Sequence, residues 1–193
     1  MDQKIFLTRM IVPADCYRAI SICMDPVAAH KFIVAALPEL TDRYLFRIDP
    51  EQDRFVIWLQ SIDEPKWSYE PPEGFSVMCK QVDVPKSGKF IFKLQTNPSV
   101  QTDGTRISVP LDKQLDWFKH KASESGFDIE QVTITRHWPV PVNSKDKNWI
   151  IMASLFNGSL RITDEERFGQ ALVSGIGRSK AYGFGLLSLA KVG

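Results

Sequence analysis

Apolar residues recur along this chain with two different periods, which predict strands alternating with helices. Ile5 to Val12 is rich in branched and aromatic residues and predicts a first strand. After a polar stretch, Asp25 offers a capping carboxylate and Pro26 suits a first helical turn, and apolar side chains then recur every three or four positions until Pro38. The pattern therefore predicts a helix from Pro26 to Leu37.

The rest of the first half predicts three more strands. Tyr44 to Ile48 and Arg54 to Gln60 are separated by turn-forming residues and predict a hairpin. The segment from Glu64 to Gly74 contains three prolines, so it cannot be a central strand. Phe75 to Val84 predicts the last strand of this half. Pro85 to Gly88 is then the expected boundary between two domains.

The second half begins with a predicted strand, Lys89 to Thr96, followed by a loop and a short extended segment, Arg106 to Val109. A helix is predicted next, and Gly126 ends it. The apolar positions expected to form its buried face are Leu111, Leu115, Phe118 and Ala122.

The last third predicts a long hairpin, a helix and a final strand. Gln131 to Trp138 and Trp149 to Ile162 are the expected hairpin strands, joined by a polar tip. Thr163 is expected to cap a helix from Asp164 to Ser174, whose early acidic residues suit the helix dipole. Leu186 to Val192 predicts the last strand.

The order of these elements predicts the fold class. Each half contains the strands of one sheet with one or two helices, and the second half closely follows the order β-α-β-β-α-β. The chain is therefore predicted to be α+β, with two tandem ferredoxin-like (RRM-like) domains at residues 1–85 and 89–193.

The composition favours an ordinary globular protein, with 44% hydrophobic and 24% charged residues among 193. The net charge of +1 hides an asymmetry: residues 1–132 hold 16 Lys and Arg against 19 Asp and Glu, whereas residues 133–193 hold 8 against 4. This local basic excess favours a partner that carries phosphate groups.

Cysteine usage and the N-terminus exclude several classes. Cys16, Cys23 and Cys79 form no C-x-x-C pair and are odd in number, which argues against a disulfide framework or a thiolate zinc site. The apolar run near the N-terminus is interrupted by Thr8 and Arg9 and is too short for a signal peptide or a membrane span. We expect a cytoplasmic protein with no membrane partner.

A glycine-rich segment, Gly175 to Gly185, follows the last helix. Its spacing fails the dinucleotide-binding pattern G-x-G-x-x-G because Lys180 stands where the third glycine should be. Four glycines with Arg178 and Lys180 among them could bring backbone amides and two cations close to a phosphate chain. The alternative is a helix cap at Gly175 followed by an ordinary turn. The pattern alone leaves both interpretations open.

The three histidines differ in their surroundings. His30 falls on the apolar face of the first helix, which is typical of a core histidine but also allows a role as general acid or base. His120 and His137 are expected to be structural. No cluster of ligands has metal-binding spacing, so the sequence favours a metal-free reaction without a cofactor.

The tip of the long hairpin carries a second group of cations. Arg136, Lys145 and Lys147 could contact phosphates along a folded RNA. Asp146 lies between the two lysines, and a solvated turn explains the composition equally well.

At these residues the sequence resembles the CasE family of CRISPR-associated endoribonucleases, the crRNA-processing subunit of Cascade. The glycine-rich segment through Ala190 is similar to the family's terminal signature at nearly every position. Three further segments also fit and extend the resemblance over almost the whole chain: Phe6 to Arg9, Phe92 to Pro98 and Arg106 to Leu111.

The resemblance implies binding of a CRISPR repeat stem-loop and metal-independent cleavage at its 3′ base, after which the protein remains in Cascade with other subunits. A 2′-hydroxyl would attack the adjacent phosphate, leaving a 5′-hydroxyl and a cyclic or 3′-phosphate. The family's histidine falls on His30, as acid or base. The expected RNA contacts are Lys31, Arg136, Lys145, Lys147, Gly175, Gly177, Arg178, Lys180, Gly183 and Gly185.

One position departs from the family's pattern. Several members have a tyrosine one helical turn before the histidine, and Val27 stands there in this chain. Tyr17, Lys31 or Tyr182 are candidates to replace it in orienting the ribose or stabilising the charged phosphate. The alternative function is a binding-only subunit in which Val27 marks lost chemistry.

Overall fold

The computed structural model describes residues 3–15, 17–40, 44–68, 70–71, 73–143 and 147–192. The first half forms a four-stranded sheet with two helices. Its elements are β1 (Lys4–Pro13), α1 (Tyr17–Met24), α2 (Pro26–Ala36), β2 (Leu45–Pro50), β3 (Arg54–Ser61) and β4 (Ser76–Asp83).

The first sheet has the strand order β2-β3-β1-β4, and its strands pair antiparallel. This is the ferredoxin-like order, and both helices of this half precede β2. One face of the sheet packs on them, since Met10 and Ile57 share a buried cluster with Ala19, Ala29 and Ile33. The described part of the proline-rich connection between β3 and β4 forms bends and turns, as its prolines predict.

The second half repeats the arrangement and adds a small ribbon. Its elements are β5 (Lys89–Thr96), β6 (Ser99–Thr102), β7 (Thr105–Ser108), α3 (Gln114–Glu124), β8 (Phe127–Asn143), β9 (Asn148–Ile162), α4 (Glu165–Ser174) and β10 (Leu187–Lys191). The sheet order is β10-β5-β9-β8, while β6 and β7 form a separate two-stranded ribbon. The prediction of an α+β fold with two ferredoxin-like domains is confirmed.

The boundary between the domains at residues 85 to 89 stays a prediction. Ile5 and Val84, from the first half, share a buried cluster with Phe90 and Phe168 of the second. The two halves therefore pack through a common apolar contact.

Two elements were missed by the sequence prediction. The polar stretch before Asp25 contains α1, a helix of eight residues in which Ala19 and Ile22 are buried while Tyr17 is 85% exposed, so it is too short to repeat an apolar period over several turns. The loop predicted before Gly104 contains β6, all of whose residues are exposed or half-buried.

Three predicted details were wrong. Leu111 and Leu115 are exposed, whereas Gln114 and Trp117 are buried, because a short 3-10 turn precedes α3 and shifts its inward face. Asp164 rather than Thr163 caps α4, since its carboxylate accepts a hydrogen bond from the backbone N–H of Arg167 at 3.0 Å. The long hairpin also extends into its predicted polar tip, and its strands pair as far as Asn143 and Asn148.

A buried charged network joins the first sheet to the second. Arg47 is only 2% exposed. Its guanidinium donates to both carboxylate oxygens of Asp49, at 2.9 and 3.1 Å, and to Ser188 Oγ of β10 at 2.8 Å. Lys93 Nζ of β5 lies 3.0 Å from the same carboxylate. Two cations therefore share one acid across the contact between the domains.

Asp49 should make folding stability depend on pH. Burial alone would raise the pKa of this carboxyl, but hydrogen bonds and charges from Arg47 and Lys93 outweigh burial and lower the pKa below its usual value. The stabilisation is therefore complete above the ordinary aspartate pKa of about 4 and is lost as the pH falls through the lowered folded-state pKa.

We expect Asp49→Asn to lower the free energy of unfolding by about 3 kcal/mol at pH 7, because it leaves the buried guanidinium of Arg47 without its acid. The difference from the unmutated protein should stay constant above about pH 5 and shrink at lower pH. Urea unfolding across this pH range measures both effects. Asp83→Asn is the control, since Asp83 pairs with Lys4 on the surface at 4.0 Å and should cost less than about 1 kcal/mol. Equal costs for the two variants would contradict the prediction.

Candidate active site and nucleic-acid interface

His30 lies on α2, whose start is fixed by the residues that predicted it. Asp25 Oδ1 accepts hydrogen bonds from the backbone N–H groups of Val27 and Ala28, at 2.8 and 3.3 Å, and Pro26 occupies the first turn. The residues of α2 that are buried in the core are Ala29, Phe32, Ile33 and Ala36. His30 lies beside this face but is only half-buried, so its ring is not enclosed in the core.

The side chain of Tyr44 holds the ring of His30. Its hydroxyl lies 3.0 Å from His30 Nδ1, and the two rings are nearly parallel, at 22° with centroids 6.3 Å apart. Burial raises the pKa of the Tyr44 hydroxyl, which therefore keeps its proton at neutral pH. Sequence reasoning missed this tyrosine because it lies fourteen residues from His30 and shares no local pattern with it.

Val27, the position of the family's tyrosine, packs into an apolar cluster between the domains. The cluster is centred on buried Val142, Ile151, Ala153 and Phe184, from the hairpin and the glycine-rich segment. Tyr182 packs against the same cluster, and its ring meets that of Trp149 edge-on at 5.6 Å. The structure thus brings Tyr182 to the turn of α2 that precedes His30.

The other two candidates for replacing the tyrosine, Tyr17 and Lys31, are exposed to solvent. Tyr17 projects from α1 with 85% of its surface exposed. Lys31 is exposed immediately after His30 on α2.

The glycine-rich segment is packed tightly between the two domains. Gly175 ends α4, as one of the two interpretations predicted, and donates its N–H to Ala171 O at 2.8 Å. Gly177 has a φ of +87°, and an added Cβ would lie 2.2 Å from Thr96 Oγ1. Gly183 has a φ of +86°, and an added Cβ would lie 3.2 Å from the Phe46 ring. Close backbone packing therefore requires glycine at these positions, and Gly183 and Gly185 are buried.

A cationic groove of about 560 Å³ opens beside this segment. Arg178 of the glycine-rich segment, Lys147 before β9 and Arg106 of β7 line it. Hydroxyl and amide groups accompany the cations, and Asn97 Nδ2 donates to Ser179 Oγ at 3.0 Å. Trp149 also lines the groove, and through Tyr182 it connects the groove to the cluster around Val27.

The remaining predicted cations lie elsewhere. Arg136 is exposed on β8, with its guanidinium carbon 4.3 Å from the centroid of the Trp138 ring. Lys180 belongs to the short 3-10 turn between Ser179 and Gly183. Lys145 lies outside the described residues. The sequence analysis did not select Arg106 as an RNA contact. The one feature that could have indicated it is its place in a segment that resembles the family.

No group of three or more His, Cys, Asp and Glu side chains in the described ranges is placed to hold a metal ion. No helix in the same ranges is long and apolar enough to span a membrane.

The fold and the site together define a class: tandem ferredoxin-like proteins in which a histidine-bearing helix is joined to a cationic groove through an apolar cluster. The family model described as "CRISPR associated protein" matches residues 5–191. The chain therefore belongs to this family of CRISPR-associated proteins, which confirms the CasE resemblance of the sequence.

Individual relatives agree with this assignment. The CRISPR-associated endoribonuclease Cse3 of Thermus thermophilus is 28% identical, over 96% of this chain and 99% of the relative. A structure of Cse3 bound to a 19-nucleotide RNA superimposes with a TM-score of 0.87 at 26% identity, covering 97% of this chain and 99% of the other. The Thermus thermophilus Cse3 complex with an RNA representing a pre-cleavage state gives 0.85 at 25% identity, with the same coverage of both chains. Cas6e of Escherichia coli K-12, at 22% identity over 97% of this chain and all of the other, has a TM-score of 0.71 and shows the shared fold.

Gly177→Ala should destabilise the protein more than Gly104→Ala, a replacement at a similar positive φ where the added methyl group meets no neighbour. Gly104 has a φ of +75° with nothing within 4 Å of an added Cβ, so Gly104→Ala measures the conformational cost alone, about 1 kcal/mol. Gly177→Ala adds the clash with Thr96 and should cost about 1–3 kcal/mol more. Thermal and urea unfolding of the two variants measures the difference. Equal costs would mean that the segment yields to the added methyl group.

Proposed function

We propose that this protein is an endoribonuclease that binds the stem-loop of CRISPR repeat RNA, cleaves precursor crRNA at the 3′ base of the stem-loop and stays bound to its product as a subunit of Cascade. The observation that carries the proposal is the half-buried His30, held at one ring nitrogen and connected through the Val27 cluster to a cationic groove. The match to an endoribonuclease over nearly the full length of both chains supports it.

The proposed reaction uses a nucleophile that RNA itself supplies. The 2′-oxygen forms a bond to the adjacent phosphorus while the bond from phosphorus to the 5′-oxygen breaks, leaving a cyclic phosphate, which hydrolyses to a 3′-phosphate, and a 5′-hydroxyl. His30 either takes the proton from the 2′-hydroxyl or gives one to the leaving oxygen. Because nucleophile and phosphate belong to one substrate, positioning and proton transfer suffice, and we propose that no metal ion takes part.

The groove is the proposed path of the RNA backbone. Arg178, Lys147 and Arg106 would face phosphate oxygens there, and the hydroxyl groups around them would add neutral hydrogen bonds. Lys31, Arg136 and Lys180 are proposed as further contacts outside the groove. The four glycines would contribute by holding the segment in shape and by presenting backbone amides where it is exposed. Contact by Lys145 and a cytoplasmic location remain predictions.

Cleavage of the protein's own repeat RNA should persist in excess EDTA and depend on His30. We expect His30→Gln to lower the single-turnover rate constant by at least about 100-fold, since a positioned acid or base contributes a factor of that order. RNA affinity should stay within about twofold, because the substitution keeps a polar side chain of similar size. Gel analysis of labelled RNA measures both.

The same experiment tests the alternative function, a binding-only subunit, which Val27 favours because valine cannot donate a hydrogen bond. Tight binding without cleavage by the unmutated protein would establish that alternative. Loss of cleavage in EDTA, restored by added Mg²⁺, would refute the metal-independent mechanism. Absence of both binding and cleavage would exclude both functions.

Arg178→Ala should weaken repeat-RNA binding and lower the slope of log affinity against log salt concentration by about one, because one phosphate contact no longer releases a counterion. Lys66→Ala is the matched control. Lys66 is 74% exposed and pairs with Glu39, and both residues lie in the first half of the chain, away from the groove. Filter-binding titrations across a salt series measure the slopes. An unchanged slope for Arg178→Ala would remove this residue from the phosphate contacts.

A further inference from the structure

The two nitrogens of the His30 ring have different surroundings. Nδ1 lies 3.0 Å from the Tyr44 hydroxyl. Among the described residues Tyr44 is the one hydrogen-bond partner of the ring, so Nε2 is left to solvent or to a ligand. The residue is half-buried, and Nε2 is not among the buried side-chain atoms that lack a hydrogen-bond partner in the described part of the chain, so this nitrogen is accessible.

A tyrosine hydroxyl suits Nδ1 in every protonation state of the ring. When the proton of the neutral ring lies on Nε2, the hydroxyl donates to the lone pair of Nδ1. When Nδ1 carries a proton, in the other tautomer or in the imidazolium, the phenolic oxygen accepts from it. The contact therefore persists while Nε2 gains or loses a proton, which is what a proton-transfer histidine needs from its partner.

Tyr44 is itself fixed by the packing of the residues that follow it. Leu45 and Phe46 are 0% and 1% exposed and lie against Gly175 and Gly183, respectively. Tyr44 thus transmits the position of the glycine-rich segment to the ring of His30.

We propose that Tyr44 is the positioning residue of His30: its hydroxyl holds Nδ1 and so makes Nε2 the atom that exchanges a proton with the RNA. This inference rests on the proposed function of His30 in RNA cleavage. The residue that compensates for the family's missing tyrosine is then Tyr44, immediately before β2, rather than Tyr17, Lys31 or Tyr182. It acts by orienting the histidine.

Tyr44→Phe tests the inference because it removes the hydroxyl and keeps the ring. We expect the single-turnover cleavage rate constant to fall by about 10-fold to 100-fold, the usual effect of losing an orienting partner, while the RNA dissociation constant changes less than twofold. A double-mutant cycle with His30→Gln separates direct from indirect action. If Tyr44 acts through His30, adding Tyr44→Phe to His30→Gln causes no further loss. A further tenfold loss, or an unchanged rate in the single variant, overturns the proposal.

A spectroscopic readout makes the inference testable apart from cleavage. The chain has three histidines, so ¹⁵N-histidine NMR is simple, and the spectrum of His30→Gln assigns His30. We expect Tyr44→Phe to change the His30 Nδ1 shift and the balance of its tautomers, while the signals of His120 and His137 stay in place as internal controls of the fold. An unchanged His30 signal overturns the proposal. If the unmutated protein does not cleave RNA, the proposed function fails, and the NMR result still decides whether Tyr44 holds Nδ1.

Discussion

The close approach of the glycine-rich segment to β2 is the constraint on which the arrangement of the site depends. At Gly175, Gly177 and Gly183 the backbone has a positive φ and lies so near to its neighbours that a Cβ atom would meet Leu45, Thr96 and Phe46. Glycine avoids both the strain of the positive φ and the steric clash of a Cβ atom. The segment can therefore pack between the two halves of the chain while Arg178 lines the groove.

This packing links features that lie far apart in the sequence. On one side it holds β2, and the residue immediately before β2 is Tyr44, whose hydroxyl meets His30. On the other side it places Tyr182 against Trp149, which lines the groove. Arg47, the buried cation of β2, hydrogen-bonds to Ser188 just after the segment. One shared framework therefore sets the positions of the proposed acid–base group and of the proposed phosphate contacts, and a reaction of this kind demands such fixed geometry.

The sequence predicted the elements whose signals are local. The helix that carries His30 was placed correctly because its cap and first turn, Asp25 and Pro26, act within three residues of each other. The order of elements, together with the family resemblance, predicted both ferredoxin-like domains. Helix α1 was missed because it is only eight residues long, and strand β6 was missed because its residues are exposed or half-buried, so neither shows a sustained hydrophobic period.

The side-chain contacts of the site could not be predicted in the same way. Tyr44 and His30 meet only because β2 returns beside α2, and Arg106 joins Arg178 and Lys147 only because three separate segments converge. These contacts depend on tertiary packing. A local sequence pattern can identify each residue separately but not that the two residues meet. The glycines illustrate the converse: their spacing suggested an open phosphate loop, whereas packing against Phe46 and Thr96 already accounts for two of them.

Val27 shows how a departure from a family pattern can be absorbed by the surrounding structure. A tyrosine at this position would offer a hydroxyl one turn before His30, but the valine packs against an apolar cluster formed by the second half of the chain. Its side chain therefore strengthens the contact that positions α2, while the hydroxyl nearest to the histidine comes from another element, at Tyr44. Because the Tyr44 hydroxyl meets Nδ1, the role we propose for it is orientation of the ring, and the proposed stabilisation of the charged phosphate belongs to the cations of the groove. On this proposal, a valine at position 27 is compatible with RNA cleavage, because orientation of the histidine and stabilisation of the phosphate come from other elements.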